Sequence, residues 1–276
     1  GQQIEKFNGA SGGTIQLTSE GFSGDFFQKS FYNSLVSAQR RVDRYAANGA
    51  VATTDLSQSK YSEVKIAGGF GPILFEPSQL TWIMSNETEA LNVISQSLVE
   101  AIMNDQLNTS IASLVGAISN VAGATNDISA TLGITQTALN NTDAKFGDSS
   151  MNLAARIMRI VDILGKPIIV TDAVALREAG TPNKEKVLSL AVGAIKVGSV
   201  SNMTTNYDKA NGKQRIEATY QADYDYTMGM MGYGWDETNG GKSPTDAELA
   251  TGTNWDLFVQ DIKHSAGTIL ISDEDK

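Results

Sequence analysis

From Ile216 to Met230 apolar or aromatic side chains occupy every second position, and few local conformations satisfy that pattern. Ile216, Ala218, Tyr220, Ala222, Tyr224, Tyr226, Met228 and Met230 share one parity; Glu217, Thr219, Gln221, Asp223, Asp225 and Thr227 share the other, and Gly229 closes the series. Successive side chains of a strand point to opposite faces, so the pattern predicts one long strand, packed on one face and wet on the other. At ~3.3 Å per residue it spans roughly 50 Å, about three times an ordinary strand. A ribbon of that length suits an extended, plate-like subunit better than a compact enzyme core. Gly232-Tyr233-Gly234-Trp235-Asp236 follows at once, a glycine-aromatic corner where the chain must turn.

The rest of the chain is globular in composition. It has 276 residues, 41% hydrophobic and 19% charged, enough to build a core. No apolar run reaches the ~18 residues of a membrane-spanning helix, so no membrane partner is expected. The first residues lack a charged-then-apolar leader, and Sec-type export of the chain is not expected either. There is no cysteine, which removes disulfide staples, thiolate nucleophiles and cysteine metal sites together. Durability must then come from burial and subunit contact. The formal net charge of −10 argues against a protein that wraps nucleic acid through a basic stripe. The densest basic cluster, Lys29, Arg40, Arg41 and Arg44, reads as a solvated helix face with partners such as Asp43.

Along the chain, residues 1–24 are rich in Gly, Ser, Gln and Thr and read as an extended arm. Asp25 is placed to cap a helix to about Ala47, with Phe27, Phe31, Leu35, Ala38 and Val42 on one face. Between Val51 and Met84, two short strands around Gly68-Gly69-Phe70-Gly71-Pro72 predict a projecting β-hairpin. Its Tyr61, Val64, Ile66, Phe70, Pro72, Ile73 and Phe75 have few apolar partners nearby in sequence, and are the candidate contacts to a neighbouring subunit. A helix from about Asn86 to Val121 follows; its apolar period breaks between Ile102 and Leu107, predicting a kink or two parts. Further on, the patterns predict a helix over Ser149–Leu164 and a buried strand over Ile168–Thr171. They also predict a strand over Leu188–Val197, a short helix near Ala247–Ala250 and a strand over Phe258–Ile262. Helices and strands interleave without a βαβ rhythm, so the fold class is α+β.

Chemistry is sparse. The single histidine, His264, would have to serve any Ser-His-Asp triad, and Ser265 beside it on a strand would point the other way. Asp223 and Asp225 share a strand face, but two carboxylates make a weak cation site and a solvated face explains them. The aromatic residues Tyr220 to Trp235 read as packing rather than as a sugar- or base-stacking platform. No dinucleotide fingerprint, phosphate loop or zinc motif is present. The expectation is therefore no enzyme, no catalytic residue, no cofactor and no metal.

Parsed this way, the chain resembles the major capsid proteins of tailed bacteriophages with the Hong Kong 97-like fold. The resemblance rests on Ala144-Lys145-Phe146-Gly147-Asp148 before a helix, then Gly165-Lys166-Pro167-Ile168-Ile169-Val170-Thr171-Asp172. It continues through Met230-Met231-Gly232-Tyr233-Gly234-Trp235, Gly240-Gly241-Lys242-Ser243-Pro244-Thr245-Asp246, Asn254-Trp255 and Lys263-His264-Ser265-Ala266-Gly267. It implies an N-terminal arm and helix at 1–48, an extended loop at 49–85, a peripheral domain with a spine helix at 86–124 and 213–276, and an axial domain at 125–212. Relative to similar proteins the connection from Met158 to Gly165 is short, which implies either a small axial domain or a stretch absent from this chain.

The function implied is self-assembly as a homo-oligomer, through pentamers and hexamers, into an icosahedral shell. That shell would enclose double-stranded DNA without sequence specificity, in a virion made in the host bacterial cytoplasm, with a portal and a decoration protein as further partners. An encapsulin-like nanocompartment shell and a flagellin-like filament are the alternatives.

Overall fold

The structure, a computed structural model, describes residues 8–9, 12–18, 26–32, 43–47, 49–50, 58–75, 87–129, 160–161, 167–169, 171–180, 183–199, 204–210, 217–259 and 261–273. In chain order the elements are β1 (Ile15–Thr18), β2 (Phe26–Tyr32), β3 (Gln58–Phe75), α1 (Glu87–Ser119), β4 (Thr125–Asp127), β5 (Ile160–Val161), β6 (Pro167–Ile168), β7 (Arg177–Glu178), β8 (Lys184–Leu190), β9 (Ile195–Ser199), β10 (Thr204–Ala210), β11 (Glu217–Met230), β12 (Tyr233–Trp235), α2 (Glu237–Gly240), α3 (Asp246–Leu249), β13 (Trp255–Leu257) and β14 (Gly267–Asp273).

The alternating segment is the strand β11, and the main sheet is arranged around it. Along one edge it pairs antiparallel with β3, from Ala218 opposite Phe75 to Met228 opposite Val64. Along the other, β10 covers its first half and β9 its second, with Tyr226 opposite Ser199 and Met230 opposite Ile195. β1 adds parallel to β9, and the Asn8 side-chain amide closes its outer edge by bonding both the N–H and the C=O of Leu17. At the predicted corner the chain turns through Met231-Gly232, bringing Met230 opposite Tyr233, and β12 leads on to β13. The second sheet has the order β4-β14-β8-β7.

One core fills the space between α1 and the apolar parity of β11. Tyr224, Tyr226, Met228 and Met230 are buried there with Ile111, Leu114 and Ile118 of the helix. Each large side chain so buried contributes ~1.5–3 kcal/mol. Between its apolar positions the helix buries Gln106, Ser110 and Ser113. Ser110 and Ser113 donate to the carbonyls of Gln106 and Thr109 (2.6 and 2.8 Å), so the buried hydroxyls are satisfied within the helix. Glu87–Ser119 is one continuous helix, not two parts. Its apolar period breaks after Ile102 because Asp105, bonded to Tyr224, and the buried Gln106 occupy the stripe there.

Several expectations are corrected. Phe26–Tyr32 is strand β2, not the start of a helix; it pairs residue for residue with Gln58–Val64 of β3. The remainder of that predicted helix lies mostly outside the described residues. Of the predicted hairpin at 49–85, Gln58–Phe75 is a single strand of 18 residues, its glycines lying against β11 rather than at a tip; 51–57 and 76–85 are outside the description. Ile160–Val161 is strand, paired with Pro167–Ile168, where a helix to Leu164 was predicted; residues 149–159 are outside the description. Ile169 is exposed rather than part of a buried strand. Leu188–Val197 is two strands, β8 and β9, separated by a turn. The strand predicted at Phe258–Ile262 lies earlier, at Trp255–Leu257, where Trp255 packs edge-on to Trp235 at 4.9 Å. Within the predicted axial segment 125–212, β4 and β8 pair with β14, and β9 pairs with β11.

The C-terminal end of α1 touches backbone. A Cβ built on Gly116 would lie 2.1 Å from the Ala250 carbonyl oxygen, so only glycine permits this approach. Gly116→Val is expected to lower stability by roughly 3 kcal/mol through overpacking. The urea midpoint of the unassembled chain measures it; an unchanged midpoint would mean that the helix does not seat there.

Candidate functional site

The candidate surface lies at the end of the sheet where β11 begins and β3 ends. β11 is buried at Ala222, Tyr224 and Tyr226, but Gln221 is exposed and Thr219 and Tyr220 are only half-buried. On the paired strand, Gly71, Pro72, Ile73 and Leu74 are all exposed, with Ile73 at 45% and Leu74 at 52%.

The seven predicted contact residues divide. Val64 and Ile66 are buried in the chain's own core and leave the candidate surface, because they share the core-facing parity of Met228 and Tyr226 opposite them. Phe70 is half-buried and stacks on Tyr224, with ring centroids 5.7 Å apart. Pro72 and Ile73 are exposed. Tyr61 and Phe75 have strand positions, opposite Lys29 and Ala218, and their side chains lie outside the description. Leu74 was missed, although its place in an apolar run beside Ile73 was the available signal.

A bulge aims this end of the ribbon. Phe70 lies opposite Ala222 and Ile73 opposite Tyr220, so Gly71 and Pro72 together face Gln221 alone. The extra residue reverses the parity, which is how bulges re-aim side chains. Without it Pro72 and Leu74 would share the Tyr220 face; with it Ile73 does. Gly71 sits at φ +101°, where a Cβ would lie 2.6 Å from the Tyr220 carbonyl oxygen. The position demands glycine.

A second ribbon extends from the opposite end of β3, where residues before Glu63 pair with β2. Of the residues joining these two strands, 43–47 and 49–50 are described and exposed, and Tyr45 is 96% exposed.

The candidate chemical groups do not converge. Asp225 pairs with Lys65 at 3.0 Å, while Asp223 accepts from Gln221 at 3.1 Å. His264 is exposed in a short turn beside the buried Ser265. Among the described residues no three acidic or histidine side chains gather to hold a metal. No described helix is long and apolar enough to cross a membrane.

A long sheet with one long helix laid on it, and without converging chemical groups among the described residues, fits a structural subunit. The chain belongs to the Gp13-like family, major capsid protein 13-like, whose model matches residues 1–159 and 156–269. It is a capsid shell subunit. The two matched stretches overlap at 156–159, beside the short connection from Met158 to Gly165. The filament and nanocompartment alternatives are not favoured by this match.

Among solved structures, the capsid asymmetric unit of cyanophage Pam1 is similar in fold, at TM-score 0.51 and 11% identity over 94% of this chain and 88% of that one. A Mycobacterium phage Adephagia chain aligns at TM-score 0.47 and 10% identity, covering 91% and 86%. A chain of the Helicobacter pylori bacteriophage KHP30 capsid aligns at 0.42 and 10%, covering 94% and 88%. No curated protein matches the chain.

The core carries a pH signature. Burial pushes the Tyr224 phenol well above the ordinary tyrosine range, helped by its 2.5 Å hydrogen bond to the Asp105 carboxylate. Burial raises Tyr226 and Tyr233 as well, the first against an opposing hydrogen bond with Thr109. An unfolded tyrosine ionises near ~10, so this contribution is complete below that pH and is lost as the pH rises beyond it. The urea midpoint is expected to fall from about pH 10 upward through these groups. Spectroscopic titration of the folded chain should show part of its 8 tyrosines resisting ionisation; all of them titrating together near the ordinary value would contradict this.

Proposed function

We propose that copies of this chain form pentamers and hexamers that tile an icosahedral shell around the double-stranded DNA of a tailed bacteriophage, on a Hong Kong 97-like plan. The observation that carries the proposal is the family match, which spans nearly the whole chain. The similarity in fold to the Pam1 capsid asymmetric unit agrees with it.

In this reading α1 is the spine helix of a peripheral domain formed by 86–124 and 213–276. The extended loop is the β2–β3 ribbon with the residues joining it, Phe26 to Val64, in place of 49–85. The N-terminal arm precedes it. The axial domain is read as smaller than 125–212, about 130–172; the pairing of β4, β7, β8 and β9 and the place of Ala173 in the core support this. Pro72, Ile73 and Leu74 meet neighbouring copies, and burial of such surface supplies the durability that a cysteine-free chain cannot draw from disulfides. The subunit works without catalysis or a cofactor. It is made in the host cytoplasm and carried in the virion, beside a portal and a decoration protein. Its net charge of −10 keeps the packaged DNA from adhering to the wall, because like charges repel.

Negative-stain microscopy of particles purified after expression tests this reading. Closed, hollow isometric shells of uniform size are the expected result. Open filaments, or discrete monomers in every preparation, would overturn it.

A further inference from the structure

The exposed run Gly71–Leu74 lies on both faces of a ribbon, and that geometry goes beyond the statement that it contacts a neighbour. Ile73 stands opposite Tyr220 on the parity that continues the core; Leu74 stands opposite Thr219 on the wet parity with Lys65 and Asp225. A strand's two faces point in opposite directions, so one flat surface can cover one of them only. Consecutive exposed apolar residues on a strand cost solubility unless they serve a contact. The bulge makes the arrangement specific: it brings Ile73 onto the tyrosine face and leaves Leu74 on the other.

We propose that this ribbon end is a wedge inserted between two different copies of the chain, Ile73 facing one and Leu74 facing the other. The occupant is a copy of the chain because a shell subunit is surrounded by its own kind, and a wedge at a subunit's margin meets more than one of them. This rests on the shell reading above. The wedge couples two neighbours through one strand, so each contact positions the residue that makes the other.

The absence of cysteine makes Ile73→Cys and Leu74→Cys the sole thiols of their variants. Each variant, carrying a benzophenone maleimide, is co-assembled from isotopically light and heavy chains, irradiated and mapped by mass spectrometry. Mixed-isotope cross-links are expected from both positions, landing on two separate patches of the partner sequence. In shells of the unlabelled variants, both thiols should react with maleimide at least about tenfold more slowly than in unassembled chains. Cross-links confined to one chain, both positions landing on one patch, or thiols as reactive in shells as outside them would each overturn the wedge. Should a labelled variant not assemble, hydroxyl-radical footprinting of wild-type shells takes its place. Protection of both Ile73 and Leu74 supports the wedge, and protection of only one contradicts it. Shells without these cross-links refute the wedge alone, whereas the absence of shells under every condition refutes the shell reading.

Discussion

The structure depends on a match of lengths between a helix and a strand. Asp105 meets Tyr224, and Thr109 meets Tyr226. Four helical residues rise ~6 Å and two strand residues ~6.6 Å, so α1 and β11 advance in step in the same direction. The tyrosines that emerge every second residue are therefore met by a helix turn each time. Phe70, Tyr224 and Tyr226 stack along the same face, at centroid spacings of 5.7 and 6.0 Å. The small side chains of α1 suit this arrangement. Ser110, Ser113 and Ala117 are fully buried, and their size lets the helix sit close to large aromatic rings.

The face of β11 away from α1 is open to water at Gln221 and Asp223 and closed at Thr227 and Gly229, where Glu63 packs. Lys65 and Asp225 form an ion pair on that wet face, partly open to solvent, a geometry worth little to stability. The body is held chiefly by buried apolar side chains, from the β11 parity and from elements such as Leu249, Trp255 and Ile269. Toward the start of β11 the apolar parity becomes less buried, at the half-buried Tyr220 and the exposed Ile73. That end continues the same alternation that builds the core.

What could be read before folding was local. The alternation of β11 has one explanation, and the stripe Ile111, Leu114 and Ile118 marks α1 just as directly. The corner at Gly232 and the short helix at Asp246–Leu249 carry their own turn and cap signals, including the mutual hydrogen bonds of Thr245 and Glu248. The misread elements were those settled by distant partners. Phe27 and Phe31 suit a helix spacing, yet pairing with β3 makes their segment a strand. Gly68, Gly69 and Gly71 resemble a hairpin tip in sequence; they lie instead where Tyr224, Asp223 and the Tyr220 carbonyl crowd against β3. That crowding comes from β11, some 150 residues away in the chain, and leaves no local trace. The candidate surface was half legible for the same reason. Pro72 and Ile73 could be nominated as apolar, but Val64 and Ile66 are no less apolar and turn out to be core.

The central claim is that the α1–β11 frame folds within one chain and that assembly covers only its margins. Hydrogen–deuterium exchange on assembled and unassembled protein tests this most directly. The account predicts strong protection of residues 106–118 and 222–230 in both states, with protection of 71–74 gained only in the assembled one. Free exchange across 106–118 and 222–230 in the unassembled chain would contradict it, since the frame would then be a product of assembly rather than its starting point.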